Sequence, residues 1–600
     1  MVLQLDQIDT NIDALRTCGY NVAIANCKAD VFAYVEALMK AAAVAKGDGR
    51  DDESAALNLL AAACQPMLQP SKPMAPFGPL FEGGEQRGVM PVDFGKVKGA
   101  LLAEFALEVA DFELGARLAD LGWVIVRNAD AARFAVMAYI EASKGPYCRN
   151  HWFERANRLE RALRIARQIK AEGLIQKATN SLLGMLEVGA ETEIPSGAVR
   201  VCQLLLEQSN ADALKVGARA NRWATVASAG SNYELEHSLL NLASRAYLKV
   251  GDKARSDGAR LAAAEALVKV ADVAEASGQK MMAHHWLSQA IGGLQKCSNQ
   301  RERVGTLQLR LASLGKASLQ EMGRIEIPLD GELIAETAAK VSAAMQGKDL
   351  AAALLQFAFL MSPLQWEQLK AQALELARLS PLRHGIAKVA YNGDGRVVAR
   401  TPPFFGSAGE DRDMALKAAC YEQVKMYYLG VVAAAIIPAR DELLRQHEMD
   451  ARTLADLLEH SALFPSGRGG LWVKGFLAGF EGDFVVALSI LIPQFEHALR
   501  KALEARGAVV YRIDQATSTH SEKSLGDMLG MAEAKGYLGE DLQYELQLLL
   551  TEQVGQNLRN ELAHGLLAEG SFHSAPAVYV WWLFFHVAVA LINHSSTQFP

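Results

Sequence analysis

The feature that most constrains this chain is its punctuation. Long stretches rich in Ala and Leu alternate with short breaks of Gly, Pro, Asn and Asp, and runs of Val, Ile and Thr are scarce. Unbranched apolar residues lose little side-chain freedom in a helix, whereas β-branched residues favour strands, so the pattern predicts an all-α fold. Half of the 600 residues are hydrophobic and 22% are charged, which places the chain among globular proteins. That length exceeds what one core holds. It predicts several domains, or a helical solenoid joined to a further domain.

Residues 1–65 read as two or three amphipathic helices. Pro66, Pro70, Pro73, Pro76, Pro79 and Pro91 follow, and prolines at this density predict an irregular surface excursion over 66–95. Helices are expected at 97–121, 131–143, 151–171, 213–229, 234–250, 255–276 and 279–294. Their spacing suggests a helical-hairpin array over 1–325, solenoid-like but without the full tetratricopeptide consensus. Such arrays mostly present binding surfaces, so this region is a candidate sensor or regulator. A helical connector is expected over 326–464. Within it, Asn392-Gly393-Asp394-Gly395 predicts a β-hairpin near 387–400, and Pro438 predicts a kink in a long helix at 411–447. The break Pro465-Ser466-Gly467-Arg468-Gly469-Gly470 marks the start of a last domain, 465–600. Helices are expected there at 483–505, 525–535, 541–564 and 575–593, after a polar loop ending near 521. That set suits an up-and-down bundle.

A net charge of −7 and a pI near 6.1 give no basic footprint for nucleic acid. The last domain is itself acidic, with nine basic against fourteen acidic residues over 465–600. RNA, if bound, would be held by a local site rather than a global field. Seven scattered cysteines without a Cys-x-x-Cys pair suggest free thiols in a reducing cytoplasm. Residues 1–16 carry Asp6, Asp9 and Asp13 and no apolar core, so no secretory signal is expected. The run 575–593 barely reaches spanning length and holds His586 near its centre. It reads as a helix buried in a domain core or a dimer interface, with no membrane partner.

Near the end of the expected helix 541–564 stands Arg559-Asn560-Glu561-Leu562-Ala563-His564, followed by Gly565. This Arg-polar-x3-His motif resembles the hallmark of the HEPN superfamily of ribonucleases. The stretches Gly475-Phe476-Leu477-Ala478-Gly479-Phe480-Glu481-Gly482-Asp483-Phe484 and Leu491-Ile492-Pro493-Gln494-Phe495-Glu496-His497-Ala498-Leu499-Arg500 are similar to those of large bacterial proteins ending in a HEPN domain. Weaker likenesses reach Gly395-Arg396-Val397-Val398 and Ala116 to Trp123. The resemblance is specific over 465–600. It implies a C-terminal HEPN helical bundle, RNA as substrate, and a homodimer in which two Arg/His sets face one another across a dyad.

The residue chemistry suits that expectation. RNA carries its own nucleophile, the 2′-hydroxyl, so a proton acceptor, a proton donor and positive charge on the phosphorane suffice. Neither a cofactor nor a metal is called for. Histidine exchanges protons near neutral pH, and arginine offers a permanent planar charge. Arg559, Asn560 and His564 are the candidate catalytic residues. Asn560 and His564 are four apart and share a helix face, whereas Arg559 lies about 140° around from His564. Asn560 is expected to orient the imidazole or bind phosphate. Glu496 and Arg500, four apart on one helix, are candidate supporting residues that brace the catalytic helix or form a surface ion pair. The bland alternative for 559–565 is a capped helix end, with Gly565 in the left-handed position.

Two other Arg/His pairs have longer spacings: five residues separate Arg378 from His384, with Pro381 breaking the helix, and six separate Arg440 from His447. No phosphate loop, dinucleotide loop or His-Glu-x-x-His is present. His284 and His285 are adjacent and point apart on a helix, and Trp123, Trp152, Trp286 and Trp366 read as core. The resemblance therefore implies a metal-independent endoribonuclease, with tRNA as a candidate substrate, controlled by its helical region. Phage defence or a toxin-like stress response is the expected setting, with a protein trigger or antitoxin as a possible partner. The competing expectation is a non-catalytic helical scaffold that binds a protein, with the HEPN bundle as dimerisation module.

Overall fold

A computed structural model describes residues 5, 8–27, 31–83, 86–145, 148, 151–188, 193–208, 212–323, 330–362, 364–514 and 516–592. The fold is all-α. Strands among the described residues are confined to four two-stranded antiparallel ladders. Contacts divide the chain into two compact units, Met1–Ser318 and Leu319–Pro600.

In the first unit the strongest packing runs between helices adjacent in sequence, as in Ala213–Ala229, Tyr233–Lys249, Lys253–Ala276, Lys280–Leu294 and Arg301–Ser318. Short polar caps set these ends: Asn232 Oδ1 accepts from the amide of Leu235, and Asp252 Oδ1 from that of Arg255. The helix expected at 97–121 is two helices, Gly95–Ala106 and Phe112–Val126. Asp111 caps the second by accepting from the Leu114 amide at 2.8 Å, which restarts the helix inside an otherwise continuous apolar run. The proline-rich stretch is irregular apart from two short ladders, but it is not wholly a surface feature. Pro66, Pro70, Pro76 and Phe77 are buried, and Arg117 on the helix Phe112–Val126 donates to the Pro66 carbonyl. His284 and Trp152 are buried, whereas Trp123 and Trp286 are half-buried.

The second unit is built around the helix Ala575–Ala590. Tyr579, Trp581, Trp582, Phe584 and Phe585 are each 0% exposed. A helix apolar on every face needs cover on every side. That cover comes from both sides of the boundary expected at 465: helices Leu350–Ala358 and Glu410–Val431 as well as Gly469–Phe480 and Phe484–Glu504. Segments 326–464 and 465–600 therefore share one core, and 326–464 is more than a connector. The aromatic surface that suggested a dimer interface is consumed within the chain. Polar atoms in this core are matched as well. Trp582 Nε1 donates to the Phe357 carbonyl at 2.9 Å, and His586 Nδ1 lies 2.8 Å from the Ala358 carbonyl, so two orphan acceptors at a helix end are satisfied. Burial pushes the His586 imidazole below its ordinary pKa, which favours the neutral ring. Gly479 lies under Trp581; a Cβ there would stand 2.1 Å from the indole nitrogen, so the close helix crossing requires glycine.

The expected hairpin pairs Lys388–Tyr391 with Val397–Thr401, and another pairs Tyr511–Ile513 with His520–Glu522 inside the expected polar loop. The long helix near 411–447 is Glu410–Val431, a π-helical turn at Val432–Ile436, and Ile437–Gln446. The wider turn just before Pro438 accommodates a residue that lacks an amide donor. The segment expected as one helix at 525–535 is two, Leu525–Leu529 and Ala532–Leu538. All seven cysteines are free. Among the described residues, no helix is long and apolar enough to cross a membrane.

Candidate active site

The helix expected at 541–564 is interrupted. It runs Glu540–Leu550, breaks over 551–557, and resumes as the short helix Leu558–Ala563. The break folds back on the helix it leaves: the amides of Glu552 and Gln556 donate to the carbonyls of Gln547 and Leu548, both at 2.8 Å. Gly555 permits this, because a Cβ there would sit 2.1 Å from the Leu548 carbonyl oxygen. Asn557 adopts the left-handed conformation (φ 53°), which asparagine tolerates better than most residues, and turns the chain into the short helix. Lys417 pairs with Glu552 at 2.6 Å, and the Tyr421 hydroxyl bonds to Gln556, so the helix Glu410–Val431 anchors the loop.

The short helix is fastened on one side and open on the other. Leu558 is fully buried; Ala563, His564, Gly565 and Leu566 are exposed. Arg559 crosses to the helix Phe484–Glu504, where Nε and Nη2 donate to the two oxygens of Glu496 at 2.8 and 3.2 Å. Arg500 Nη2 donates to the same carboxylate at 3.2 Å and to the Lys523 carbonyl at 2.9 Å, and its Nε lies 3.1 Å from Glu522. Glu496 is thus shared by two guanidinium groups and joins the candidate residues of both helices. The side chains are 13–26% exposed, so the cluster is only partly screened by water.

Asn560 does not bond the imidazole. Its Oδ1 accepts from Arg559 Nη1 at 3.0 Å and its Nδ2 donates to Asn557 Oδ1 at 2.7 Å. The link between Asn560 and His564 is through the backbone, where the His564 amide donates to the Asn560 carbonyl at 3.0 Å. Asn560 therefore positions the guanidinium, and the His564 ring stands clear of it. Of the five N–H bonds of Arg559, three are engaged among the described residues, which leaves two for an anion.

Sequence reasoning did not single out Asn557, Gly555 or His497. Asn557 and Gly555 carried a signal, since Gly and Asn so close together interrupt a helix. His497 follows Glu496 on the same helix and is half-buried. Burial, and then the charges of Arg468, Lys501 and Arg500, push its imidazole below the ordinary value, which favours the neutral, proton-accepting ring.

Residues 5–178 match a family model described as "Domain of unknown function (DUF7380)", which lies wholly within the first unit. No curated protein matches the chain.

Proposed function

We propose that the chain is a metal-independent endoribonuclease of HEPN type. In this reading His564 exchanges protons with the 2′-hydroxyl or the leaving 5′-oxygen, and Arg559, held by Glu496 and Asn560, places two free N–H bonds toward the scissile phosphate. The observation that carries the reading is the open end of the helix Leu558–Ala563: an exposed His564 on the same short helix as a guanidinium braced by Glu496 and Asn560. One such histidine per motif supplies either a base or an acid, so a second copy of the chain facing the first would complete the pair. The N-terminal unit would regulate cleavage in answer to a protein trigger or antitoxin, in the cytoplasm, during phage defence or a toxin-like stress response. That setting rests on family analogy.

A second reading has its own support. Arg559 spends three donors inside the protein, which equally suits a structural clamp in a non-catalytic scaffold that binds a protein partner. Incubation of the purified chain with total tRNA in EDTA separates the two. The nuclease reading expects fragments ending in 2′,3′-cyclic phosphate; RNA left intact under every trigger tested contradicts it and favours the scaffold.

A further inference from the structure

The Met1–Ser318 unit holds a cavity of about 620 Å3, within the range of small-molecule sites, roughly 300–1,000 Å3. Its charged floor is almost entirely paired. Arg158 donates to both oxygens of Glu113 at 2.7 and 2.8 Å and to Glu154 at 3.1 Å, and Arg200 pairs with Glu160. Lys72 is exposed to solvent, and Arg117 is the buried exception. It is 4% exposed, its Nη1 donates to the Pro66 carbonyl at 2.5 Å, and its guanidinium lies 5.0 Å from the Phe77 ring centre. Among the described residues no carboxylate lies within ion-pair distance of it. Among the described residues the lining carries four cations (Lys72, Arg117, Arg158, Arg200) against three carboxylates (Glu113, Glu154, Glu160), one positive charge in excess.

A buried guanidinium without a counter-ion is costly, and the cost is relieved by an anion that enters the cavity. The planar fork of arginine matches phosphate and carboxylate oxygens. At the rim stands Phe153, 53% exposed, which offers a ring face to an apolar body. We propose that this cavity binds a small organic anion, with a phosphate or carboxylate head on Arg117 and an aromatic body against Phe153. All of these residues except Arg200 fall inside the matched span 5–178.

Titration calorimetry on the full chain tests this, with AMP, phenyl phosphate and phenylacetate as probes and adenosine and benzyl alcohol as neutral counterparts. The expected result is one site per chain for at least one anion, with its neutral counterpart at least tenfold weaker; phenyl phosphate against phenylacetate identifies the head group. Arg117→Gln should abolish binding and Arg117→Lys should weaken it. Phe153→Ser, at an exposed position that folding does not need, should weaken it tenfold with the melting temperature unchanged. The proposal is overturned if no anion binds at millimolar concentration, if the neutral counterparts bind equally well, or if Phe153→Ser and a folded Arg117→Gln bind as the wild type does.

Discussion

His564→Ala separates chemistry from folding, because of where the structure puts this residue. The imidazole is exposed and makes no side-chain hydrogen bond among the described residues. Its removal forfeits at most the attraction of a cation for a helix C-terminus, about 0.3–1 kcal/mol. Surface changes of this kind usually stay within about 0.5 kcal/mol. Loss of a general acid or base should instead slow cleavage about a hundredfold or more, roughly 2.7 kcal/mol of barrier. Two neighbours calibrate the result. Leu558 is 0% exposed, so Leu558→Ala should cost about 2–5 kcal/mol of stability and lose activity only as the fold fails. Leu562 on the same helix is half-buried and serves less well. Arg559→Ala removes the cross-link to Glu496 and should lower stability by about 1–3 kcal/mol, so it confounds the two effects. The assay is single-turnover cleavage of labelled tRNA, with thermal unfolding by circular dichroism on the same preparations. Wild-type cleavage by the His564→Ala protein, or its unfolding, would refute the reasoning.

A double-mutant cycle on Glu496→Gln and Arg559→Ala should return a coupling of about 1–2 kcal/mol in urea unfolding, since the pair is bidentate and half-shielded; additive effects would show that the contact contributes nothing. Glu545 is fully buried beneath the hydroxyls of Tyr579 and Tyr428, and burial pushes its carboxyl up to about 7 from the usual 4.5. The folded state thus holds a proton that the unfolded state has lost, so stability should be full below pH 4.5, fall as pH rises to 7, and level off above. The drop is about 3 kcal/mol at 1.36 kcal/mol per unit. The urea midpoint of the wild type minus that of Glu545→Gln should trace that fall, and parallel profiles would contradict it. Gly555→Ala drives a Cβ into the Leu548 carbonyl and should cost about 1–3 kcal/mol while displacing the helix Leu558–Ala563. An unchanged melting temperature would show that the 551–557 loop yields freely.

What the sequence determined by itself is local. The Ala- and Leu-rich periodicity specified the helices, with Ala213–Ala229 and Lys280–Leu294 within a residue of expectation at each end, and Asn392-Gly393-Asp394-Gly395 specified the hairpin. These follow from backbone preferences and hydrogen bonds that reach only a few residues along the chain. Glu496 and Arg500 were legible as an intrahelical pair for the same reason, whereas Arg559, Asn560 and His564 were singled out by a family resemblance. The tertiary structure decided the rest. Glu496 and Arg559 are 63 residues apart, and their meeting depends on how two helices pack. The break at 551–557 needs the neighbouring helix to hold it through Lys417 and Tyr421. The helix Ala575–Ala590 announced that it would be buried, but not by what. Its cover comes both from nearby helices and from Leu350–Ala358, more than two hundred residues upstream, because apolar surface is indifferent to which apolar surface meets it, and only the three-dimensional closure of the whole core selects the partner.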